Sequence, residues 1–121
     1  MPVAEPIDSW DKAVAFALSL PDTELSTSYG RPAVKVKSNG RAFLYTGHEQ
    51  QSSFGVGIDL DTVEILKETD PDTFWQSPHY EGWPAVLIRF DSRDPERVRD
   101  VIERSHAWTR AMKPPRSRKR K

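Results

Sequence analysis

Apolar positions in this chain recur at two spacings, and the switches between them lay out the elements. Ile7, Trp10, Val14, Ala17 and Leu18 follow one face of a helix that Asp8 or Ser9 can cap. Leu20-Pro21-Asp22 ends it, and residues 22–32 read as a polar loop punctuated by Gly30 and Pro32. Val34 and Val36 then alternate with Lys35 and Lys37, and Ala42-Phe43-Leu44-Tyr45 follows Ser38-Asn39-Gly40-Arg41. Asn-Gly provides the two positive-φ positions of a type I′ turn, so a tight hairpin is predicted. Its outward face carries Lys35 and Lys37, with Arg41 at the tip. Phe54-Gly55-Val56-Gly57-Ile58 reads as a third strand, whose bare glycines let another backbone or a helix approach closely.

The second half repeats the alternation. Asp61, three residues before Glu64, resembles a capping box for a short helix holding Val63, Ile65 and Leu66, and Asp70-Pro71-Asp72 stops it. Residues 73–76 and 85–90 read as strands around an aromatic loop over 77–84. Asp94-Pro95-Glu96 places a cap, a first-turn proline and an early acid in the order helices favour. Val98, Val101, Ile102, Ser105 and Trp108 then mark one face of a last helix. The predicted order is α-β-β-β-α-β-β-α. Short connections make the sheet mainly antiparallel with helices packed on one face, a single α+β domain over residues 1–112.

Charge changes this picture. The chain is formally neutral, with 18 basic and 18 acidic residues. Yet Lys113, Arg116, Arg118, Lys119, Arg120 and Lys121 lie together in the last nine residues with no acid among them, which leaves the other 112 residues with 12 bases against 18 acids, or −6. Two prolines, no apolar residue and mutual repulsion predict a disordered basic tail over 113–121. Such a tail either solubilises the terminus or contacts a polyanion through counterion release. No apolar run is long enough for a membrane helix, and no basic leader opens the chain. With no cysteine there is neither disulfide nor thiolate chemistry. A cytoplasmic monomer without cofactor is the simple expectation.

Candidate chemistry concentrates in two places. Lys35, Lys37 and Arg41 form a basic hairpin patch that either faces phosphates or guards a sheet edge. Ser77-Pro78-His79-Tyr80-Glu81-Gly82-Trp83-Pro84 forms an aromatic corner, either a scaffold or, with Tyr29, His79, Tyr80 and Trp83 as lining, a surface that binds a protein or a small ligand. The acids between 59 and 72 lack EF-hand spacing, the three histidines are far apart, and Gly55-Val56-Gly57 is no phosphate loop. Neither a metal site nor enzymatic chemistry is expected.

The residues that carry a family likeness span roughly 5–112. They are Leu20-Pro21, Ser28-Tyr29-Gly30-Arg31-Pro32-Ala33, Lys35-Val36, Pro71 with Phe74, Pro78-His79-Tyr80, Gly82-Trp83-Pro84, Val86-Leu87-Ile88 before Asp91, Asp94-Pro95 and Trp108. In these the chain resembles the MmcQ/YjbR family. The resemblance implies a fold similar to the secretion-chaperone-like and frataxin-like α+β domains. It also implies DNA binding through two hairpins used as paired wings. Here the second presumed wing, around 76–84, carries Glu81 and no lysine or arginine.

Overall fold

A computed structural model of the chain describes residues 7–28, 30–46, 53–78, 80–90 and 94–113. The described elements run α1 (Trp10–Leu18), β1 (Thr23–Ser28), β2 (Arg31–Val36), β3 (Ala42–Thr46), β4 (Ser53–Gly57), α2 (Leu60–Thr69), β5 (Phe74–Trp75), β6 (Ala85–Arg89) and α3 (Pro95–Arg110). The strands form one antiparallel sheet in the order β1-β2-β3-β4-β6-β5.

The α+β class and the helices on one face are as the sequence predicts, with one strand more. Residues 23–28 are not loop but edge strand, paired with β2 from Thr23↔Val36 onward. An edge strand needs no apolar alternation, since only one of its backbone edges is paired and its faces lie near solvent. Leu25 is accordingly exposed.

Registry divides the residues between two faces. Val34, Leu44, Val56 and Val86 line up across four strands, and Phe54, Ile88 and Phe74 form a second row on the same side. These belong to one core cluster with Ala13 and Ala17 of α1, Val63 and Leu66 of α2, and Val98, Val101 and Ile102 of α3. All three helices therefore cover that side. Leu18 and Ile65 are exposed, so each falls outside the buried stripe of its helix. On the opposite side Ala33, Tyr45, Gly55, Leu87 and Trp75 align. A Cβ on Gly55 would sit 2.5 Å from the Tyr45 ring, so the close approach that glycine permits is to a ring lying across the strand.

The caps refine the helix starts. Ser9 caps α1 through the Lys12 amide. Asp59, not Asp61, caps α2 by accepting from the Thr62 amide at 3.0 Å. Asp94 caps α3 ahead of Pro95 as predicted.

Candidate functional site

The hairpin between β2 and β3 differs from the predicted turn in a way that matters. Gly40 has φ +73, but Asn39 is not in the left-handed region, so the turn is not type I′. Instead the Gly40 amide donates to the Val36 carbonyl at 2.8 Å, and the Val36 amide to the Arg41 carbonyl at 2.9 Å. These bonds close a four-residue loop. Asn39 is released from the turn conformation and points inward, 7% exposed. Its Nδ2 donates to the carbonyls of Thr109 (2.8 Å) and Met112 (3.0 Å) at the end of α3. Thr109 lies in the last turn of α3 and Met112 just past its end, so the hairpin adds a C-terminal cap from 70 residues away.

Arg41 strengthens the same junction. Its Nε donates to the Lys113 carbonyl at 2.6 Å, and its amide donates to Asn39 Oδ1 at 3.0 Å. Lys37 is exposed on the loop and Lys113 is exposed where α3 ends. Lys37, Arg41 and Lys113 are thus gathered at one end of the molecule. Lys35 is half-buried, further back along β2 and opposite Glu24 on β1. Tyr29, His79, Arg116, Arg118, Lys119, Arg120 and Lys121 lie outside the described residues, as does the predicted disordered run beyond Lys113.

Asp22 ties this end to β1. It holds φ +64, a left-handed conformation that costs an ordinary residue strain and that Asp and Asn tolerate best. Its carbonyl accepts from the Lys37 amide at 2.8 Å, and its carboxylate meets Arg110 Nε at 3.3 Å. Hydrogen bonds from the Ser38 side chain, then from its backbone, hold the Asp22 carboxyl below the usual carboxylate range, with Arg110 adding to the effect and desolvation opposing it. A depressed carboxylate stabilises the fold above its unfolded pKa, and that stability is lost as pH falls through the folded value. Asp22→Asn should therefore flatten the acid limb of the stability curve between about pH 2 and 5 while keeping the turn. Urea midpoints measured across that range check it. An acid limb of unchanged steepness would show that Asp22 has no part in it.

His106 closes the other side of the junction. Its Nε2 donates to the Pro21 carbonyl at 2.7 Å, and its ring meets Phe43 edge-on at 5.4 Å. The Ser105 hydroxyl bonds between the carbonyls of Phe43 and Gly57. Sequence reasoning did not select Asn39, Asp22 or His106. The signal for Asn39 was present but was absorbed by the Asn-Gly turn reading.

The aromatic corner is held by a side chain outside it. Gln76 Nε2 donates to the carbonyls of Tyr80, Trp83 and Ala85 at 2.8–3.0 Å. Its Oε1 accepts from Lys67 Nζ at 2.9 Å. Gly82, at φ +81, lets the loop reverse. Tyr80 is half-buried near Tyr45, whose hydroxyl is pushed far up by burial, with Tyr80 adding to it. Trp83 is 58% exposed. A shallow depression of about 360 Å³ lies beside the corner, lined among the described residues by Lys67, Pro71, Phe74, Trp75, Gln76, Pro78 and Glu81. Tyr80 and Trp83 do not line it. Among the described residues no three histidine or acidic side chains gather as a metal-holding group, and no helix is long and apolar enough to cross a membrane.

The geometry defines a class: a six-stranded antiparallel sheet with three helices on one face and its β2–β3 hairpin docked on the last helix. Residues 18–108 match the YjbR family model. The chain belongs to the YjbR family. Among curated proteins it is similar to the uncharacterized proteins Mb2600 of Mycobacterium bovis and Rv2570 of Mycobacterium tuberculosis, each 28% identical over 75 residues. That match covers 60% of this chain and 57% of each relative's length. Among solved structures it is similar in fold to Deinococcus radiodurans protein DR2400, a DUF419 domain, with TM-score 0.70 and 16% identity over 86% of this chain and 80% of that one.

Proposed function

We propose that this is a non-catalytic domain that contacts a polyanion, duplex nucleic acid in particular, weakly and without reading sequence. The reading rests on one observation: Arg41 of the hairpin bonds the carbonyl of Lys113. Lys113, the first residue of the basic run in the sequence, is therefore held at the hairpin. Arg41 and Lys113, far apart in sequence, share one end, where Lys37 is exposed as well. Asp22, an acid beside that junction, is already engaged by Ser38 and Arg110. Elsewhere the acidic body repels phosphate, which orients any approach toward this end. Cations of this kind suit phosphate oxygens, contacts that position a protein on a duplex without carrying sequence information.

The test is a titration of the full chain against duplex DNA at several salt concentrations. A footprint of about five phosphates gives a log–log slope near −4 to −5. No binding at ~50 mM salt, or binding indifferent to salt, would overturn the proposal.

A further inference from the structure

The helix-free face of the sheet carries a set of donors that the hairpin end does not involve. Registry places Ser53 opposite Arg89 across β4 and β6, and Trp75 opposite Leu87 across β5 and β6. Alternation along the strands then puts Ser53, Arg89 and Trp75 on the same side, away from the helical core. The Arg89 guanidinium lies over the Trp75 ring, 4.8 Å from its centroid. The Arg89 side chain is half-buried, and among the described residues its guanidinium takes part in no ion pair or hydrogen bond. Ser53 is 1% exposed, and its hydroxyl has no partner among the described residues. The indole Nε1 of Trp75 is likewise buried without one.

These three groups have a common need. A guanidinium and an indole N–H only donate, and a buried hydroxyl without a partner can do the same. A partly desolvated cation with no counter-charge is unfavourable, as is a covered donor with no acceptor. Contact with the indole engages the face of the cation and does not use its N–H donors, so the fork that takes two oxygens side by side is still available. The ligand that satisfies this face is acceptor-rich, negatively charged and compact.

We propose that Arg89, on its Trp75 platform, binds the oxyanion group of a small molecule, a carboxylate or a phosphate, with Ser53 as a supporting donor. Arg89 is the member open to solvent and makes the first contact. The buried Ser53 hydroxyl and Trp75 indole nitrogen are unpartnered donors on the same face among the described residues. The site lies on the other side of the sheet from the helices and is separate from the hairpin junction.

The test follows the Trp75 indole N–H in spectra of the ¹⁵N-labelled full chain, assigned with Trp75→Phe, during separate titrations with inorganic phosphate and acetate. The indole resonance should move saturably at millimolar ligand, and the ligand that moves it more distinguishes phosphate from carboxylate. Arg89→Lys keeps the charge but loses the fork and should weaken binding by about tenfold. Ser53→Ala should weaken it about threefold. An indole resonance unmoved at ~50 mM of either anion, where even weak sites fill, would overturn the proposal. So would an equal response in Arg89→Lys, or the same response to chloride at matched ionic strength. Should Arg89→Lys fail to fold, Ser53→Ala and the wild-type titration decide it.

Discussion

Phe54→Ala should destabilise the domain by about 3–5 kcal/mol, the range found when a buried aromatic ring is removed from a core. Phe54 is fully buried near the middle of β4. Its ring stacks on Phe90 with centroids 5.5 Å apart, and it aligns with Ile88, which in turn aligns with Phe74. Several strands and all three helices share this cluster. The space left by a ring cannot close without moving several elements at once. A domain of this size holds about 5–15 kcal/mol in total, so the variant should be partly unfolded near physiological temperature. Phe54→Leu should recover much of the loss. By contrast Ile65→Ala, at an exposed position on α2, should stay within about 0.5 kcal/mol of the parent. Urea unfolding of the three variants checks the ordering. A loss below about 1 kcal/mol for Phe54→Ala would mean that β4 is not central to the core.

The second large effect concerns charge. Replacing Lys113, Arg116, Arg118, Lys119, Arg120 and Lys121 by serine should reduce the steepness of the salt dependence for duplex DNA by roughly 0.9 for each phosphate no longer neutralised. Affinity at ~50 mM salt should fall by at least tenfold, because the remaining body carries excess acid. Stability should hardly change, since Lys113 bonds Arg41 through its backbone carbonyl and not its side chain. Lys37→Ser alone should give a smaller loss in the same direction. Neutralising all six bases without changing the slope would assign the binding elsewhere.

Much of the fold was legible in the sequence because burial imposes a period. Val34 and Val36 lie where alternation puts them and the Val98, Val101, Ile102 and Ser105 stripe where helical spacing does, while the continuous apolar run from Ala85 to Ile88 is a strand buried on both faces. Caps were legible where the chemistry was local, as at Ser9 and Asp94. What escaped was decided over long range. β1 is polar because it sits at an edge, so its strand character comes from pairing with β2 and not from its own pattern. Asn39-Gly40 looked like a type I′ pair, yet the Asn39 side chain gains two carbonyl partners at the end of α3 by leaving that geometry. The tertiary contact outweighed the local turn preference. Lys37, Arg41 and Lys113 were visible as residues, but their convergence was not. Nothing in Arg41 or Lys113 alone announces that one bonds the other.

The central claim, that hairpin and basic terminus act as one phosphate-facing surface, is tested most directly by mapping backbone amide shifts as duplex DNA is added to the full chain. The account predicts that amides of residues 37–41 and 110–113 move together, with the same midpoint, and that added salt reverses both. Shifts confined to residues 80–83, or movement of residues 110–113 while 37–41 stay still, would contradict it.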